Sequence, residues 1–300
     1  MGAIRGWLEC ATDKKWLRFH GTQEWYDLWG NYNSVNELLA FFDCYLKDVD
    51  NDWDSTPRVR ISYLQFGDQS PIENVAVPDF PPPDTEYRKL FLAPNSKLSD
   101  SQASSNDTLS YNSTSKDSFA SFRLTFPTRI AVIGIPKVVL HMSCSATDDM
   151  DVYVILRKLS ASGEELLSLN IPWANIPPKS IAEIPADKRT EVILYTGAIG
   201  VLRASHRAID SSKSMHENWP YHPHDNEEKI KPGEIVRLEI GVWATGIAFE
   251  AGEILELRVG GVYPGIANFG TNEHSLNAGE HKVHFGGAYD SYLSLPTTKL

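Results

Sequence analysis

From Pro57 to the C-terminus, short stretches of alternating apolar and polar residues recur with turn residues between them and almost no helical period. No other feature narrows the fold as much. The stretches are Arg58 to Phe66, Tyr87 to Leu92, Ser121 to Phe126, Lys137 to Ser143, Met150 to Leu159, Gly200 to Ser205, Glu234 to Trp243, Glu253 to Val259 and His281 to Phe285. Many short strands without helices between them can bury their apolar faces only against one another. The pattern predicts a mainly β chain, an antiparallel jelly-roll β-sandwich with a core of its own.

The first fifty residues read differently. Trp16-Leu17-Arg18-Phe19 alternates as a strand would and ends at His20-Gly21, with an aromatic loop (Trp25, Tyr26, Trp29, Tyr32) after it. Ser34 stands three residues before Glu37, the spacing of a capping box, and Val35, Leu38, Leu39, Phe42, Tyr45 and Leu46 then follow a helical period that stops near Lys47. This strand, loop and helix form an αβ unit too small to bury a core alone. The expected division is therefore residues 1–52 as the αβ unit and residues 53–300 as the sandwich. If no further sheet packs on this unit, exposed apolar surface is expected around Trp7, Leu17, Phe19 and Phe42.

Two segments interrupt the strand pattern. Residues 95–118 carry nine serines, and so polar a tract is expected to be a mobile loop. Residues 205–231 form a second long loop, rich in His, Pro and Asp, and are read as a packing loop.

A net charge of -11 excludes nonspecific attraction to nucleic acid, and no basic patch is evident. No apolar run is long enough to cross a bilayer, and the first fifteen residues lack a signal-peptide core, so a cytoplasmic protein with no membrane partner is expected. Cys10, Cys44 and Cys144 form no CxxC pair and fit a reducing compartment. Asp148, Asp149 and Asp151 read as a charged turn because the spacing is not that of an EF-hand, and the prolines among His216, His222 and His224 deny zinc an i, i+4 helix. No metal and no cofactor is expected.

His20 lies in a loop between a strand and a helix, where an imidazole can accept a proton from a hydroxyl near neutral pH and return it. Trp25, Tyr26, Trp29 and Trp53 are candidate walls of a substrate pocket, or else an interface between the αβ unit and the sandwich. A G-x-S-x-G nucleophile elbow is absent.

Lys15-Trp16-Leu17-Arg18-Phe19-His20-Gly21-Thr22-Gln23-Glu24-Trp25, followed by Phe41-Phe42-Asp43-Cys44-Tyr45-Leu46-Lys47, resembles the catalytic-histidine segment and final helix of the CocE/NonD hydrolases, which include cocaine esterase and the Xaa-Pro dipeptidyl-peptidases. Thr56-Pro57-Arg58-Val59-Arg60 is similar to the entry of their C-terminal jelly roll, and further matches run through Ala146 to Val152, Leu202 to Arg207, Lys231 to Val236 and Tyr289 to Pro296. The resemblance implies a galactose-binding-like jelly roll preceded by an αβ remnant of an α/β-hydrolase domain. It carries over His20 as general base and later general acid. It also implies that the serine and the acid lie upstream, so this chain is expected to lack both, as a fragment or as one of two associating chains would.

Three readings stay open. The chain is part of a hydrolase acting on a small ester or peptide substrate, joined to a hydrolase-domain chain or self-associated as a homodimer. It is a non-catalytic binding module. Or it is a repurposed biosynthetic enzyme that uses the aromatic cleft.

Overall fold

The computed structural model describes residues 2–266 and 277–300. All nine expected strands form, with ends moved by at most three residues. Eight of them build a largely antiparallel β-sandwich. Strands Asp151–Leu159 and Ile254–Gly260 pair antiparallel, and Ala120–Thr125 continues that layer. Opposite them, Lys137–Cys144 pairs with Glu280–Phe285, Tyr292–Lys299 and Val236–Gly241. Alternation places Val152, Val154, Leu156, Leu255, Leu257, Val138, Leu140 and Met142 in a single core, each fully shielded from solvent. No helix among the described residues is long and apolar enough to cross a membrane.

Residues 95–118 are not the mobile loop the serine content predicts. Lys97–Ser99 and Asp107–Asn112 are strands, and the second pairs along its length with Glu280–Phe285. Tyr111 is buried, and the buried Ser113 hydroxyl accepts from Gly279 N and donates to Asn277 O. Serine count overstates the entropy problem here, because the backbone supplies the ladder and Leu109 and Tyr111, two residues apart on one face, anchor it in the core.

The N-terminal unit comprises α1 (Gly2–Glu9), β1 (Leu17–Arg18) and α2 (Tyr32–Lys47), to which β2 (Val59–Tyr63) and β3 (Ile72–Val77) belong by hydrogen bonding. Leu17 pairs with Val59 and Arg18 with Arg60 in a parallel ladder, and β3 runs antiparallel to β2. Strand pairing therefore crosses the 52/53 division, and the sheet lies on the sandwich through Leu17, Ile61, Phe80, Ala131, Ile133 and Ala248. Leu17 is buried and Trp7 and Phe19 pack on the same cluster, against the expectation of exposure, because Ile4, Trp7 and Leu8 of α1 join the apolar side chains of β1 and β2 there. Phe42 is exposed as expected, and so are Leu39 and Leu46 on the same helix.

The start of α2 also differs from the capping-box reading. Asn31 is the N-cap, accepting from Asn33 N, while Ser34 is buried inside the helix and Glu37 turns toward arginines. Two arginines on neighbouring strands offer Glu37 a stronger partner than one backbone N–H does. Cys10 is exposed, Cys44 half-buried and Cys144 buried, all as free thiols.

Candidate active-site histidine and its surroundings

β1 ends two residues before His20, and the chain then turns at Gly21. A side chain at Gly21 would collide with Glu73 and Pro71, so only glycine lets the loop pass this close to β3. Next comes a π-helical turn, Trp25–Trp29, which directs Asp27 inward. His20 Nδ1 lies 2.6 Å from Asp27 Oδ2.

Asp27 is held from several sides. Arg18 approaches Oδ2 at 2.5 Å, Ser34 donates its hydroxyl to Oδ1 at 3.2 Å, and Asn31 donates an amide N–H at 3.4 Å. Burial pushes this carboxyl upward, but hydrogen bonds from His20 and Arg18, with the arginine's charge, outweigh it and hold the group well below the usual carboxylate range. An ionised carboxylate can only accept. The Nδ1 of a neutral His20 therefore carries the proton, and Nε2 presents a lone pair. The imidazole is about one-third exposed, at 35% of its side-chain surface.

Behind this pair, Glu37 accepts from Arg60 at 2.9 Å and from Arg18 at 3.4 Å. Its hydrogen bonds with Arg60 keep its carboxyl low against the opposing effect of burial. Glu73, across the loop, is raised by burial and by the nearby charge of Asp27.

Two cavities flank the loop. One of about 450 Å³ is lined by Tyr26, Asp27, Glu73 and Trp173, and one of about 300 Å³ by His20, Trp16, Phe41 and Trp53. Tyr26 is half-buried and packs against a cluster of Leu169, Ile171 and Leu194, whereas Trp25 and Trp29 are 58% and 65% exposed and line neither cavity. The aromatic residues proposed to act together thus point to two different surroundings.

Within this chain Asp27 gives His20 a carboxylate partner that the sequence reading did not anticipate. An acid enclosed in the aromatic string Trp25-Tyr26-Asp27-Leu28-Trp29 was the available signal, since a carboxylate is rarely buried without a cationic or hydrogen-bonded partner. No serine hydroxyl lies within hydrogen-bond distance of His20 among the described residues. Ser143 does meet His284 Nε2 at 2.8 Å, but it is buried between sandwich strands, where the contact satisfies a hydroxyl that water cannot reach.

Of the loop histidines, His216 stands apart, while the rings of His222 and His224 lie 6.3 Å from each other. His216 stacks on Tyr87, His222 lies between the carbonyls of Ala208 and Glu239, and His224 stacks on His206. Asp149 is buried, accepts from Met150 N and Ser205 N, and pairs with Lys229 at 3.1 Å, which makes this aspartate the clasp of a turn. No group of three or more His, Cys, Asp or Glu able to hold a metal occurs among the described residues.

Residues 51–294 match the X-Pro dipeptidyl-peptidase C-terminal non-catalytic domain. The chain belongs to that family. Two crystal structures of a CocE/NonD family hydrolase from Staphylococcus aureus are similar to it, at 31% and 30% identity and TM-scores of 0.86 and 0.85, each covering 99% of this chain and 51% of the hydrolase. An aminopeptidase from a marine sediment Thaumarchaeota archaeon shares the fold at 15% identity and a TM-score of 0.55, covering 91% of this chain and 44% of its own. The chain thus spans about half the length of the solved hydrolases it matches. No protein with a curated description matches it. His20, Asp27 and the aromatic turn precede the matched X-Pro dipeptidyl-peptidase segment, within the stretch shared with the S. aureus hydrolase.

Proposed function

We propose that this polypeptide is the C-terminal part of a serine hydrolase of the Xaa-Pro dipeptidyl-peptidase or CocE type, acting on ester or peptide acyl bonds. Residues 1–52 are then the end of an α/β-hydrolase domain, and His20 is the base that takes the proton of a serine carried by the rest of that domain. One observation carries the reading: a part-exposed imidazole whose Nδ1 lies 2.6 Å from a carboxylate held ionised by its neighbours. Asp27 orients the ring and stabilises the imidazolium formed when the serine oxygen attacks the acyl carbon. The same imidazolium then protonates the leaving group, and water repeats the sequence on the acyl-enzyme.

The exposed apolar face of Trp25, Trp29, Tyr32, Leu39, Phe42 and Leu46 supports the reading, because a surface of this kind asks for a partner. The occupant proposed is the other half of the hydrolase, in keeping with the half-length coverage of the S. aureus relative.

Fluorophosphonate labelling and p-nitrophenyl acetate hydrolysis test this on two proteins, the 300-residue chain and the same chain joined to an α/β-hydrolase segment bearing G-x-S-x-G. Labelling is expected only in the second, with His20→Ala lowering kcat by about 10³-fold or more. Undiminished turnover in that variant would remove His20 from the mechanism.

A further inference from the structure

The oxygen of Asp27 that meets His20 has a second claimant. Arg18 Nη2 lies 2.5 Å from Oδ2, the same atom that stands 2.6 Å from His20 Nδ1. The other oxygen accepts from the hydroxyl of Ser34 and the amide of Asn31, and Arg18 Nη2 also donates to Ser34 Oγ at 2.9 Å. Arg18 thus acts on both ends of this carboxylate, on one directly and on the other through Ser34.

Charge is balanced before His20 is counted. Arg18 and Arg60 bring two positive charges, Asp27 and Glu37 two negative ones, and all four side chains are largely shielded from water. Arg60 donates to Glu37 at 2.9 Å and Arg18 reaches it at 3.4 Å. An imidazolium at His20 is therefore a third cation against two carboxylates, and it faces a guanidinium across one shared oxygen. The remaining charges near the ring do not offset this. Glu73 stands across the loop, its carboxyl raised by burial and by Asp27, while Lys14 and Lys15 line the same cavity as the ring and Arg60 and add positive charge.

We propose that Arg18 is a positioning residue with a second duty: it fixes Asp27 for the ring and, as the cation sharing Asp27 Oδ2, keeps His20 in the neutral form whose Nε2 accepts a proton. The purpose of this device rests on the hydrolase reading, since a base must be unprotonated to act. Its test does not, because no serine is needed. An arginine that only braced the fold would behave in the opposite way. Its loss would loosen Asp27 and deprive an imidazolium of its carboxylate, which favours the neutral ring. If Arg18 opposes the charged ring, its loss hands Asp27 wholly to His20 and favours the imidazolium.

The His20 ring signals of the 300-residue chain are followed by NMR between about pH 4 and 9. In Arg18→Gln the midpoint of the titration is expected about one pH unit above that of the wild-type chain, with Nδ1 still carrying the hydrogen of the neutral ring. Arg18→Lys, which keeps the charge, is expected within about 0.3 unit of wild type. Asp27→Asn keeps the shape of the site and leaves Arg18 unopposed, so its midpoint is expected to fall by about one unit or more. The last two variants keep the proposal open to refutation if loss of the arginine's charge unfolds the N-terminal unit. A midpoint that stays or falls in Arg18→Gln, one displaced upward by about a full unit in Arg18→Lys, or one unchanged in Asp27→Asn would each overturn it.

Discussion

The sandwich and the N-terminal unit solve opposite problems. In the sandwich, apolar side chains from facing strands close on one another, and the large apolar residues left outside, such as Val201 and Trp243, are widely separated in sequence. In the unit, Trp25, Trp29, Leu39, Phe42 and Leu46 remain exposed, while charged groups are packed two and three deep around Asp27 and Glu37. The difference teaches that stability and chemistry have been allotted to separate parts of one chain. A saturated core needs no partner, and an ionic network next to an open apolar helix does.

The sharpest way to break this contrast is to truncate one side chain in each region. Leu257→Ala, at the centre of the sandwich, is expected to cost about 2–5 kcal/mol by urea unfolding, whereas a cost below about 0.5 kcal/mol would mean that the sandwich is not the stabilising element. Next comes Arg60→Met, which leaves Glu37 half-buried with a weaker partner. It is expected to cost about 1–3 kcal/mol, less than the core truncation, because part of the network stays solvated.

Acid then tests the same network. The folded-state pKa of Asp27 and Glu37 lies below the unfolded value, so the stability they contribute is fully present above the ordinary carboxylate range and is lost as pH falls from that range to their lowered folded-state values. The stability gap between the wild-type chain and Asp27→Asn is therefore expected to be widest near neutrality and to narrow on acidification. A gap that grows on acidification would reverse the assignment of charge. Smallest in energy is Phe42→Ser, expected within about 0.5 kcal/mol of wild type yet visible as reduced self-association in sedimentation. Unchanged association would show that this face does not make the chain sticky.

Strand positions were legible because alternation is a local signal, and the nine runs from Arg58 onward needed nothing beyond the pleat to be found. Segments whose order depends on a distant partner were not. Asp107–Asn112 reads as polar filler until Glu280–Phe285 lies beside it. At the site, His20 was visible from its place after a short strand, but Asp27 was not, because a π-helical turn brings residues together at a spacing that neither the strand nor the α-helical period anticipates. The convergence of Lys14 and Lys15 with Arg60 was equally hidden, since it is the pairing of Arg18 with Arg60 that brings the two stretches together.

That parallel ladder has a practical consequence for anyone excising the module. A protein begun at residue 53 would keep Val59–Tyr63 but lose Leu17–Arg18 beside it, leaving an unzipped edge, an unmatched Arg60 guanidinium and bare Val59 and Ile61 side chains. Clean expression calls for retaining the first fifty residues, or for removing everything up to the end of Ile72–Val77 and capping the newly uncovered Ala131 and Ile133 with polar substitutes.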